Sequence, residues 1–150
     1  MLHDVTESDI EIGASANTWE DAIKTAARPL IARGDVTPGY VDAMIDAVHR
    51  VGPYIVLCRG VALAHARPEH GVMRGAVHFT TFPDGVRFGK EDFDPIRLVI
   101  TLAAEDDTSH LDLMAELAGI LMDEENIDAL VACDDAKAFS SLLSTLADED

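Results

Sequence analysis

Apolar positions recur with helical spacing towards both ends of the chain and crowd together with strand-like density in the middle. From about Thr18 to Ala32, Trp19, Ile23, Ala26, Ala27 and Leu30 fall on one face, with Asn17 and Glu20 in N-cap and N3 positions. Pro29 lies late in this pattern and is expected to kink or shorten the last turn. A second helix follows Gly34. Thr37 caps it, Pro38 takes its first position, and Val41, Met44, Ile45 and Val48 form the buried stripe before Gly52-Pro53 ends it. Strands are expected at Tyr54–Cys58 and at Ala76–Phe82, the latter closed by a Pro83-Asp84-Gly85 turn and followed by a short Val86-Arg87-Phe88 strand. Ile96–Ala104 is almost uninterruptedly apolar, as befits a central strand covered on both faces. Helices then return. Ser109 with Asp112 makes a capping-box pattern ahead of Leu111, Met114, Leu117, Ala118 and Leu121, and further helical patterns cover Asn126–Ala132 and Ala136–Leu146.

Two helices, a strand-rich middle and more helices predict an α/β fold: a central mixed β-sheet flanked by helices on both sides, in a single domain spanning residues 1–150. A length of 150 residues, 48% of them hydrophobic and 26% charged, suits one folded domain and is too apolar for a disordered chain. Nucleotide-binding folds lose their usual support, because neither GxGxxG nor GxxxxGK[ST] occurs. No apolar run approaches a membrane span, and the opening MLHDVTESDI is acidic and polar, so a cytoplasmic protein without direct membrane insertion is expected.

Charge narrows the partners. Lys and Arg number 11 against 28 Asp and Glu, a formal net of -17, and such a field repels nucleic acid and anionic membranes alike. Most of these carboxylates are read as a solvated surface; a soluble partner with a basic face suits the remainder. Cys58 and Cys133 are too far apart in sequence for a metal pair and too few for a disulfide framework.

Candidate chemistry centres on two histidines. His65 stands in a segment bracketed by Gly60 and Gly71, directly after a predicted strand, with Pro68 holding Arg67 extended. His110 opens a predicted helix, where unpaired backbone N–H groups and the helix dipole favour an anion such as phosphate and a neutral imidazole. Together they would receive and hold a phosphoryl group. The plain alternatives are a loop histidine and a residue making local bonds at a helix start. His65, Glu69 and His70 also resemble a metal-ligand cluster, but the HxxxEH spacing and Pro68 break the helix that metalloprotease motifs need. A Cys58 nucleophile with His65 as its base is a further arrangement to test. Arg67 is read either as neutralising phosphoryl oxygens or as a rim residue aiding docking, and Ser109 chiefly as the cap of its helix.

Three stretches carry a family resemblance: GPYIVLCRGVALAHARPEHGV (Gly52–Val72), PDGVRFGKEDFDPIRLVITLAA (Pro83–Ala104) and SHLDLMAEL (Ser109–Leu117). Their order and content resemble the enzyme IIA component of the bacterial phosphoenolpyruvate-dependent sugar phosphotransferase system, with the mannitol/fructose-type fold. DEENIDALVAC (Asp123–Cys133) and the EDFDP turn are most similar to the ascorbate-type branch. The resemblance implies that His65 takes a phosphoryl group from phospho-HPr on Nε2 and passes it to a cysteine of enzyme IIB. A sugar, L-ascorbate or a related carbohydrate, is then phosphorylated during passage through a membrane enzyme IIC permease. It further implies that His110 hydrogen-bonds the phosphoryl group, that no cofactor is needed beyond that group, and it leaves a homodimer open. A regulatory phosphoprotein, sensed by partners without transport, is the alternative reading of the same phosphohistidine.

The chain also departs from the family pattern. Ala64 replaces the proline usually found before the active histidine, Cys58-Arg59 replaces an Ala-Pro, and Arg50 does not register with the active-site arginine of mannitol-type members. An acidic rim around His65 and His110 would suit basic surfaces on HPr or enzyme IIB.

Overall fold

The apolar run near residue 100 becomes the middle of a five-stranded sheet. The computed structural model describes residues 2–148, without the side chains of His3, Asp107, Ser109 and His110. Its strands are β1 (Ile10–Glu11), β2 (Val56–Cys58), β3 (Val61–Ala64), β4 (Ala76–Val86) and β5 (Ile96–Ala103), in spatial order β1-β4-β5-β3-β2. β5 runs antiparallel to β4 and parallel to β3, so the sheet is mixed.

Alternation along the strands divides the interior into two cores. Ala62, Ala64, Val99, Ala103 and Phe82 pack towards α1 (Trp19–Ala32) and α2 (Pro38–Val51). Val61, Leu63, Phe79, Leu98, Ile100 and Leu102 pack towards α3 (Asp107–Leu121), α4 (Glu124–Val131) and α5 (Ala136–Asp148). Helices therefore cover both faces, as the order of elements predicts. Among the described residues no helix is long and apolar enough to cross a membrane.

Several local expectations are corrected. Thr18, not Asn17, caps α1: its Oγ1 accepts the Asp21 N–H at 3.2 Å. Pro29 does not shorten α1, which runs three residues past it to Ala32. The buried stripe of α2 includes Tyr40 alongside Val41, Met44 and Val48, while Ile45 is only half-buried. Residues 61–64, read as part of a punctuated loop, form strand β3. All of them are buried, and a strand covered on both faces gives no alternation to detect.

The expected turn at residues 83–85 does not separate two strands. β4 continues through it to Val86, with a register shift against β5 between Thr81 and Val86. Pro83 has no N–H to donate, and Gly85 (φ 80°) supplies the bend, so the strand bulges and rejoins the ladder.

At α3 the start lies at Asp107, so Ser109 falls within the first turn and is not the cap. The face turned to the sheet is Leu113, Leu117, Ile120 and Leu121, and Leu111 is 66% exposed. This helix is apolar on more than one side, and only packing chooses between the stripes.

Candidate active site

β3 ends at Ala64 and His65 follows at once, at the carboxyl end of a parallel strand pair where the chain leaves the sheet. Its Nδ1 lies 2.8 Å from the carbonyl oxygen of Leu63. A carbonyl only accepts, so Nδ1 carries the ring proton, and the neutral imidazole has its in-plane lone pair on Nε2. The ring is half-buried and stands edge-on to Tyr54, centroids 5.6 Å apart.

The loop beyond it is held by α2 and the residues flanking it. Tyr54 donates its O–H to the His65 carbonyl (3.2 Å), and the Tyr40 hydroxyl accepts the Ala66 N–H (3.0 Å). Further on, the Thr37 N–H donates to the Gly71 carbonyl (3.0 Å), and Val36 bridges Val72. Arg67, in extended conformation (φ -69°, ψ 145°), leads the chain into one turn of 3-10 helix, Pro68–His70. A histidine on so constrained a loop presents one ring atom in one direction.

An open cleft of about 860 Å³ adjoins it, lined among others by His65, Arg50, Arg67, His70, Asp46 and Asp106. Arg67 is exposed on its wall. Arg50 is there as well, one turn of α2 beyond Asp46 and 3.0 Å from its carboxylate. Both members of this ion pair are well exposed, so it holds the guanidinium only weakly. Tyr54 keeps its phenol proton: burial raises its pKa above 10, with Arg50 opposing the shift in lesser measure. The cleft thus gathers the His65 ring, guanidinium groups that suit an anion and carboxylates that suit a basic surface.

Ala104 and Asp106 bring the β5–α3 connection to the same cleft. Ser109 and His110 occupy the first turn of α3 just beyond, and their side chains lie outside the described residues. The sequence reading missed Tyr40 and Tyr54, and it set Arg50 aside as out of register with the family's arginine although Arg50 lines the cleft. For Tyr40 a signal existed: a tyrosine on a buried stripe must find a partner for its hydroxyl.

Other candidates fall away. Cys58 pairs with Val61 at the start of β3, while His65 leaves its end, about 13 Å further along at ~3.3 Å per residue. Burial, then Glu124, also pushes the Cys58 thiol pKa up, against nucleophile activation. Among the described residues no cluster of three or more His, Cys, Asp or Glu side chains is arranged to hold a metal ion. His78 is buried in β4, and burial, helped by Arg33, lowers its pKa to about 4, so it is a neutral core residue. A second cleft of about 570 Å³ contains Arg33, Asp35 and Arg74. There buried Asp35 accepts a hydrogen bond from Arg74 Nε (2.7 Å) and forms an ion pair with Arg33 (3.1 Å), so these charges are already matched.

The model of the phosphoenolpyruvate-dependent sugar phosphotransferase system EIIA 2 family matches residues 5–145. An ascorbate-specific PTS system EIIA component of Shigella flexneri is 39% identical over 135 residues, covering 88% of each chain. Among solved structures, the mannitol-specific cryptic phosphotransferase enzyme IIA of Escherichia coli superposes with a TM-score of 0.85 at 33% identity, over 96% of this chain and 98% of the other. Enzyme IIA mannitol of Escherichia coli, in complex with phosphorylated enzyme IIB, gives 0.83 at 33% identity, over 95% and 98%.

Proposed function

Because the chain belongs to the EIIA 2 family of the phosphoenolpyruvate-dependent sugar phosphotransferase system, and is thus a phosphotransferase of sugar uptake, we propose that His65 is its phosphoryl carrier. The donor is phospho-HPr, the acceptor a cysteine of enzyme IIB, and the pathway serves L-ascorbate or a related carbohydrate. One observation carries the reading: the Leu63 carbonyl accepts a hydrogen bond from His65 Nδ1–H, so the lone pair that attacks phosphorus belongs to Nε2, beside a cleft with two arginines. The ascorbate-specific relative supports the choice of sugar, and the IIA–IIB complex among the structural neighbours supports the acceptor.

The reaction exchanges like bonds. His65 Nε2 attacks phosphorus in line, the P–N bond to the donor histidine breaks, and that imidazole leaves with its electron pair. No proton moves on this side, since the Nδ1 proton stays hydrogen-bonded to Leu63 throughout. In the second half the enzyme IIB thiolate attacks and the Nε2–P bond breaks. Arg67, and Arg50 once released from Asp46, neutralise the phosphoryl oxygens as charge accumulates in the cleft. His110, in the first turn of α3, supplies a hydrogen bond to the same group, and backbone N–H groups of that turn favour its charge. Ser109 contributes from this turn only as part of the helix start.

The test is reconstitution with phosphoenolpyruvate, enzyme I and HPr. Acid-labile, base-stable label is expected on the wild type and none on His65→Ala, with slower transfer in His110→Ala. Label on the His65→Ala protein would overturn the assignment. A panel of enzyme IIB proteins and sugars then identifies the pathway; transfer to none of them would favour the regulatory alternative.

A further inference from the structure

β3 and β5 are parallel neighbours as far as the pair Ala64–Thr101, and beyond it the two chains part. Such a gap beyond the carboxyl ends of strands leaves peptide groups that no ladder satisfies. Here the gap is bridged by one side chain. Tyr40, 1% exposed on α2, accepts the Ala66 N–H (3.0 Å) and donates to the Leu102 carbonyl (2.8 Å), with the Ala66 carbonyl also near, at 3.2 Å. Its phenol stays protonated, because burial raises its pKa further above 10.

The two peptides it joins flank the cleft. Ala66 directly follows His65, and Leu102 is the penultimate residue of β5, whose continuation through Ala104 and Asp106 borders the cleft and enters α3. Tyr54 and Thr37 also hold this loop, yet Tyr54 does so from a position 41% exposed to solvent. Ala64 leaves the backbone before His65 freer than a proline would, which increases the demand on whatever fixes the chain just after it.

Resting on the carrier reading of His65, we propose that Tyr40 is a positioning residue for phosphoryl transfer. Its hydroxyl locks the Ala66 peptide to the end of β5 and thereby sets the direction of His65 Nε2. It touches neither the phosphoryl group nor a partner, so its effect is on geometry and not on docking.

Tyr40→Phe keeps the ring and removes the clamp. In single-turnover phosphorylation at varied phospho-HPr, the maximal rate is expected to fall roughly ten- to a hundredfold, with the half-saturating donor concentration unchanged. Nitrogen NMR of the His65 ring in the unphosphorylated proteins is expected to show the Nδ1–H tautomer in the wild type and a tautomer mixture in the variant. Wild-type rates with unaltered ring shifts would overturn the proposal, as would a defect confined to half-saturation. If wild-type His65 takes no phosphoryl group, the carrier reading fails and the catalytic proposal with it, while unchanged tautomer signals would refute the clamp separately. Should Tyr40→Phe not fold, amide hydrogen exchange in the wild type decides. Protection of the Ala66 amide comparable to that of Leu63 supports the clamp, and exchange as fast as at exposed Arg67 overturns it.

Discussion

Tyr54 and His65 are joined twice: the rings meet edge to face at 5.6 Å and 80°, and the Tyr54 hydroxyl donates to the His65 carbonyl at 3.2 Å. Aromatic contacts of this kind contribute about 0.5–1.5 kcal/mol, and a partly exposed pair lies at the lower end. Tyr54→Ala is therefore expected to slow phosphoryl transfer severalfold and Tyr54→Phe only slightly. Rapid-quench measurement of His65 labelling checks this; equal rates in all proteins would show that the pair does not restrain the ring.

The two arginines of the cleft are expected to differ in cost. Charge-assisted bonds to phosphoryl oxygens are worth about 1.5–3 kcal/mol, so Arg67→Gln should slow transfer at least about tenfold. Arg50 must first leave Asp46, and Asp46→Asn, by removing that competitor, is expected to raise the transfer rate modestly. Such a surface pair contributes at most about 1 kcal/mol, so the thermal midpoint of Asp46→Asn should shift by only about 2–4 °C or less. Parallel rate and melting measurements separate the two effects.

Gly71 is the far anchor of the His65 loop. It adopts φ 141°, and a Cβ there would fall on Thr37 Oγ1 and 3.1 Å from Tyr40 Cβ. Gly71→Ala is expected to destabilise the protein by about 1–3 kcal/mol and to slow phosphorylation of His65. Denaturant titration and labelling rates provide the check. Unchanged stability would mean that the loop shifts away from α2 without cost.

His78 gives stability a definite pH dependence. Its pKa is about 4 when folded and 6.5 when unfolded, so between these values the unfolded chain binds the extra proton. The native advantage is complete above pH 6.5 and is lost as pH falls towards 4, by about 3 kcal/mol in all. Denaturation of wild type and His78→Gln at pH 7, 5.5 and 4.5 tests it: the wild type should lose more stability on acidification.

Asp42 and Asp106 line the cleft beside His65. If they receive a basic partner face, transfer from phospho-HPr should slow as salt is raised from 50 to 500 mM, through weaker association. A salt-independent rate would return these carboxylates to the solvated surface that a net charge of -17 already requires.

Much of this molecule is local and therefore legible in the sequence. Helical periodicity marks α1, α2 and α5, and the run Ile96–Ala104 announces the central strand, because each pattern reflects the faces a single element must bury. The segment around His65 likewise stands out through its own glycines and proline. Periodicity is silent where an element is covered on both faces, as at Val61–Ala64, and ambiguous where more than one stripe is apolar, as at Leu111 and Leu113 on α3. Sequence also placed Thr37 at the start of α2 but gave no reason for its amide to meet Gly71. Only the assembled sheet decided that Tyr40 would bridge to Leu102, 62 positions away, and that Arg50 would share a cleft with His65. The physical reason is that chain-local preferences choose the elements, whereas the partners of a buried hydroxyl or a cleft-wall cation exist only after distant elements have packed.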